Sequence, residues 1–125
     1  MKQIRTDNAP AAIGPYSQAI MEGTLIFTSG QIPIDPATGE LCNRDMVTAA
    51  RQALQNLQAV LVAGGADMGT VIKTTVFLKD IRDFQVFNGV YAQFFKEPFP
   101  ARSCVQVAAL PREALVEVEA IAVRR

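Results

Sequence analysis

The chain has 125 residues, half of them hydrophobic, with 12 Lys and Arg against 12 Asp and Glu and no histidine. A chain of this length buries about two-thirds of its unfolded surface, enough for one core in a single domain spanning residues 1–125. Zero net charge removes the electrostatic footprint of non-specific nucleic-acid or anionic-membrane binding, and the lack of imidazole removes Ser-His and Cys-His nucleophile systems and most transition-metal sites.

Residues 2–5 read as a first strand, which Asp7-Asn8-Ala9-Pro10 breaks into a loop ending at Gly14-Pro15-Tyr16. Strands at 17–21 and 25–29 flank Glu22-Gly23-Thr24, which predicts an antiparallel hairpin. Residues 30–39, with Pro33, Asp35-Pro36 and Thr38-Gly39, are loop, after which Asn43 or Asp45 can cap a helix. In that helix Val47, Ala50, Leu54, Leu57 and Leu61 recur at steps of three and four, with Arg51, Gln52, Gln55 and Gln58 between them, until Gly64-Gly65.

Val71 to Lys79 is rich in β-branched and aromatic residues and predicts a central strand with Ile72, Thr74, Val76 and Leu78 on one face. Asp80 then caps a second helix whose Phe84, Phe87, Tyr91 and Phe94 form one stripe, with the poor helix formers Asn88 and Gly89 in its middle. Lys96 to Ala101 is loop. The last quarter reads as two strands, 102–109 and 115–123, joined around Pro111-Arg112 as an antiparallel hairpin. The expected fold is α+β: a six-stranded mixed sheet with two helices on one face.

Period-2 alternation sorts the closing strands into faces: Ser103, Val105, Val107 and Ala109 against Arg102, Cys104, Gln106 and Ala108, and Val116, Val118, Ala120 and Ala122 against Glu117, Glu119, Ile121 and Val123. A face combining Arg102, Cys104 and Gln106 with the two glutamates, Ile121 and Val123 is too apolar for solvent and too polar for a closed core, so it is expected to meet another subunit. With a hairpin turn near Arg112, Glu117 falls level with about Val107, roughly 17 Å along from Arg102. A site using both would then take Arg102 from one chain and Glu117 from a neighbour.

Several side chains could carry chemistry, each with a plainer reading. Arg102 could offer a bidentate fork to a carboxylate or phosphate, or be an exposed arginine. Glu117 or Glu119 could act as a general base on water, or be solvated. Tyr16 could point its hydroxyl into a cleft or pack it on a carbonyl; Ser29-Gly30 could offer a hydroxyl and an N–H to an anion or form an ordinary turn. Asn88, beside an apolar stripe, suggests a ligand contact or a buried amide bond. Cys104 has no histidine to activate it and reads as a small buried apolar group. Cys42 and Cys104 form no CxxC pair, residues 1–10 hold no apolar signal core, and no apolar run reaches the roughly 18 residues of a membrane span, so a cytoplasmic protein is expected.

TSGQIP at 28–33, Gly14-Pro15-Tyr16, KTTVFLKD at 73–80, PARSCVQVAALP at 100–111 and VEVEAIAV at 116–123 together resemble the reactive-intermediate deaminase (Rid) family, in particular its A subgroup of enamine/imine deaminases. The likeness covers essentially the whole chain, in order. It implies a homotrimer of chorismate-mutase-like protomers whose sheets form an inner barrel, with three clefts between subunits. It also implies Arg102 as the carboxylate-binding group, Glu117 as the water-activating base, and Tyr16, Ser29, Gly30, Asn88 and Cys104 as the remaining pocket positions. The 96–99 loop is shorter than in many members, which bears on the cleft rim.

The activity implied is hydrolysis of 2-imino acids to 2-keto acids and ammonia, with no metal or cofactor, because a protonated imine is already electrophilic. Two rivals stand beside it: a non-catalytic keto-acid-binding regulator, which needs Arg102 but no base, and a ribonuclease or translation inhibitor, which zero net charge and the lack of histidine disfavour.

Overall fold

The computed structural model describes residues 1–125. Six strands, β1 (Lys2–Ile4), β2 (Ala19–Glu22), β3 (Leu25–Thr28), β4 (Val71–Leu78), β5 (Ala101–Gln106) and β6 (Val116–Val123), form one sheet in the order β1-β2-β3-β6-β4-β5. Helices α1 (Met46–Ala63) and α2 (Phe84–Tyr91) both cover one of its faces, as the α+β reading expects. The β2–β3 hairpin turns through Gly23-Thr24 between the paired Glu22 and Leu25.

Asp45, not Asn43, caps α1, its carboxylate accepting from the Thr48 N–H at 2.8 Å. Asn43 instead pins the distant turn before β6: its side chain donates to the Glu113 carbonyl and accepts from the Leu115 N–H. At the other end Gly65 takes φ 87, and the paired bonds Ala66 N–H to Leu61 O and Gly65 N–H to Val62 O stop the helix in a Schellman turn. The buried stripe runs through Met46, Ala49, Ala50, Ala53, Leu54, Leu57, Val60 and Leu61, whereas Val47 is exposed. Small alanines on this face let the helix sit close to the sheet, against Ile26, Val76, Val116, Val118 and Ala122, all buried.

The expected hairpin of the last two strands does not form. β5 pairs with β4 in parallel, following the β4–α2–β5 crossover, and β6 runs antiparallel between β3 and β4. The 107–115 connection is long enough to step over the end of β4, where Val107 donates to the Leu78 carbonyl and Lys79 donates to the Leu115 carbonyl. A tight turn would have forced β5 and β6 side by side; this longer one leaves β4 between them.

That change of neighbours reverses the face of β5. Arg102, Cys104 and Gln106 register with Thr74, Val76 and Leu78, and the same three β4 residues register with Ala120, Val118 and Val116. Arg102 and Cys104 therefore belong to the helix-covered face, and Ser103 and Val105 share the open face with Glu117, Glu119 and Ile121. Within β4 the register slips between Val71 and Lys73, and this bulge turns Ile72 outward, 46% exposed, away from the buried Thr74, Val76 and Leu78. The open face carries Leu25, Phe27 and Val105, exposed by 37, 44 and 45%, together with Phe77, Ile121 and Val123.

Candidate active site

Two separate clefts hold the residues singled out in the sequence. The first lies at the edge of the sheet under α2. Asn88, Tyr91, Ala92, Phe99, Pro100 and Arg102 line a concavity of about 440 Å³, with Cys104 one side chain further along the same face of β5. Arg102 is half-buried, and its Nη1 donates to Asn88 Oδ1 at 2.8 Å, so the odd polar residue in the stripe of α2 holds a guanidinium. One edge of the planar fork remains for a carboxylate. Burial pushes the Cys104 thiol above its usual range despite the nearby Arg102 cation, which leaves it protonated at neutral pH.

The second cleft, about 370 Å³, opens where the loop after β3 meets β6 and is lined by Tyr16, Gly30, Gln31, Ile32, Arg112 and Glu117 among others. Gly30 is glycine for a packing reason. A Cβ there would come within 2.6 Å of the Glu117 carboxyl carbon, so only the bare backbone lets that carboxylate lie against the chain. Half-burial, then the neighbouring Glu119 charge, raises the Glu117 proton affinity above the ordinary carboxylate value. Tyr16 stands half exposed at the rim. Ser29 adjoins the cleft, but its hydroxyl donates to the Ser17 carbonyl at 2.6 Å, so that proton is engaged in the fold.

Arg102, Asn88 and Cys104 thus form one group, and Tyr16, Gly30 and Glu117, with Ser29 adjoining, form another. The structure does not bring the two groups together in one chain. Arg102 is level with Thr74 and Glu117 with Phe77, three residues apart on β4 and hence on opposite faces. Along and across the strands each separation is about 10 Å. A larger concavity of about 490 Å³, between Asp67–Ile72 and the 94–100 segment, contains none of the candidate residues.

Four supporting residues escaped the sequence reading. Buried Gln18 accepts from the Thr6 N–H and donates to the Thr6, Ala9 and Pro10 carbonyls, tying down the loop that leads to Tyr16. Buried Asn56 donates to the Ile32 and Ile34 carbonyls and shapes the floor of the Glu117 cleft. Its position on the apolar stripe of α1 was the available signal. Phe84 and Tyr91 read only as core, yet both present ring faces to Arg102.

A profile of the family described as endoribonuclease L-PSP matches residues 6–124. The chain belongs to that family. It is 53% identical to the 2-iminobutanoate/2-iminopropanoate deaminase of Salmonella typhimurium over 127 residues, 99% of this chain and 98% of the relative. Among solved structures, E. coli TdcF with bound serine shares 51% identity at a TM-score of 0.94, covering 100% of both chains. RidA from the Antarctic bacterium Psychrobacter sp. PAMC 21119 shares 43% at a TM-score of 0.94, covering 98% of this chain and 99% of that one. The L-PSP family therefore includes the Rid proteins that the sequence motifs resemble.

Proposed function

We propose that this L-PSP family protein is a hydrolytic deaminase of short-chain 2-imino acids, releasing 2-keto acids and ammonia, with each active site assembled from two subunits of a homotrimer. The observation that carries the reading is the split between the clefts: a cation suited to a carboxylate in one, and a half-buried carboxylate with raised proton affinity in the other. The Salmonella relative's name supplies the substrate class, and the serine bound to TdcF is a small carboxylate of similar size. The open sheet face, with Leu25, Phe27, Val105 and Ile121, supports burial between subunits.

In the reaction, Arg102 holds the substrate carboxylate and so orients the adjacent iminium carbon. Glu117 takes a proton from water as its oxygen bonds to that carbon, and Tyr16 helps hold the water. Glu117 passes that proton to the nitrogen of the tetrahedral adduct, then takes the proton of the adduct hydroxyl as the C–N bond breaks, the carbonyl forms and ammonia leaves. Asn88 keeps the guanidinium in place, and Gly30 with Ser29 and Cys104 completes the walls. The iminium nitrogen supplies the electron sink, so this chemistry asks for neither metal nor cofactor.

A purely keto-acid-binding regulator would need the Arg102 cleft but no desolvated base at Glu117. The family's ribonuclease description fits poorly with a chain of zero net charge and no histidine. No helix is long and apolar enough to cross a membrane. The test is to generate 2-iminopropanoate and 2-iminobutanoate in situ and follow their decay with and without the protein. Acceleration at micromolar protein is expected; an unchanged decay rate would overturn the enzymatic reading.

A further inference from the structure

The Arg102 guanidinium is held by more than Asn88. Its central carbon lies 4.7 Å from the Tyr91 ring centroid and 5.4 Å from that of Phe84, so two aromatic faces from α2 flank the cation. Tyr91 is itself fixed. Its hydroxyl shares a 2.8 Å hydrogen bond with Thr74 Oγ1, and its ring packs 5.6 Å from Phe87 and 4.4 Å from Phe95. Thr74 is also the register partner of Arg102 across the β4–β5 ladder. Strand, helix and neighbouring strand thus close a ring of contacts around one side chain.

An arginine on an edge strand samples many rotamers, and each binding event would have to immobilise it. Here Asn88 occupies Nη1 and the two rings limit rotation of the guanidinium plane, leaving the Nε and Nη2 edge for a ligand. We propose that Tyr91 and Phe84 are positioning residues for the imino-acid reaction, preorganising the Arg102 fork for the substrate carboxylate through their ring faces. The inference rests on Arg102 being the carboxylate-binding group.

The experiment measures KM and kcat for 2-iminobutanoate, and the dissociation constant of the product 2-oxobutanoate, for Tyr91→Leu, Tyr91→Phe, Phe84→Leu and Thr74→Val. Loss of a ring face, in Tyr91→Leu or Phe84→Leu, should raise KM and the product dissociation constant about tenfold while kcat falls less than threefold. Tyr91→Phe, which keeps the ring, should restore binding to within about threefold of wild type, and Thr74→Val should match it. Cooperative thermal melts identify the folded variants. Half-buried Phe84 decides the matter if Tyr91→Leu does not fold. Folded Phe84→Leu with wild-type KM and product affinity would overturn the proposal. Should the wild-type protein fail to hydrolyse the imine, the functional reading falls, and 2-oxobutanoate titration of the same variants still tests the positioning of Arg102.

Discussion

Arg102 and Glu117 leave the sheet on opposite faces, Arg102 beside Thr74 under α2 and Glu117 beside Phe77 on the open side, with β4 running between their strands. No rotamer of either side chain closes that gap through the sheet. Chemistry that needs both groups needs two chains, arranged so that the helix-side edge of one approaches the β3–β6 loop region of the next.

Mixing subunits tests this directly. In a cyclic assembly, equal amounts of Arg102→Ala and Glu117→Gln chains leave about a quarter of the clefts with both wild-type residues. Coexpression should therefore recover about a quarter of wild-type activity from two variants that are each inactive. Absence of recovery despite demonstrated subunit exchange would overturn the shared site.

The stacked, Asn88-bonded fork of Arg102 depends on a planar guanidinium, which a lysine ammonium cannot reproduce. Arg102→Lys should lower kcat/KM at least tenfold, about 1.4 kcal/mol of transition-state stabilisation, in steady-state assays. Cys104→Ala, by contrast, should retain activity within about threefold, because burial keeps the thiol protonated and no nucleophile is lost.

Glu117 should set the acid limb of the pH–rate profile. Its proton affinity is raised, so the carboxylate is lost, and the rate falls, at a pH above the ordinary value of 4.5. Glu117→Gln should abolish that limb and reduce kcat about a hundredfold while 2-oxobutanoate still binds. The folded state holds this proton more tightly than the unfolded chain does. Its contribution to stability is thus complete below 4.5 and lost as pH rises through the raised value, a slope that the Gln variant should lack in chemical denaturation.

Phe27 and Ile121 are register partners at the centre of the exposed apolar strip. Phe27→Asp would place a carboxylate in the face proposed to meet another subunit, while leaving the protomer's own core untouched. Sedimentation should report a folded monomer with native circular dichroism and little activity. A trimer of undiminished activity would mean that this face is not the interface.

Element type and order were legible along the chain because they depend on local periodicity: alternation in β4 and β6, the three-four spacing of α1, and its stop at Gly64-Gly65. The reactive-looking side chains were legible too, since few polar groups interrupt these patterns, Asn88 above all. Alternation within β5 shows that Arg102 and Ser103 oppose each other, but not which of them faces the helices. That depends on whether β5 hydrogen-bonds to β6 or to β4, a choice made by the 107–115 connection and the α2 crossover, which lie outside any strand's own pattern. The tertiary structure alone therefore decided that Arg102 stacks on Tyr91 and Phe84, that Glu117 rests on Gly30, and that β4 keeps the two apart, because each contact joins segments distant in sequence through a register that no local signal encodes.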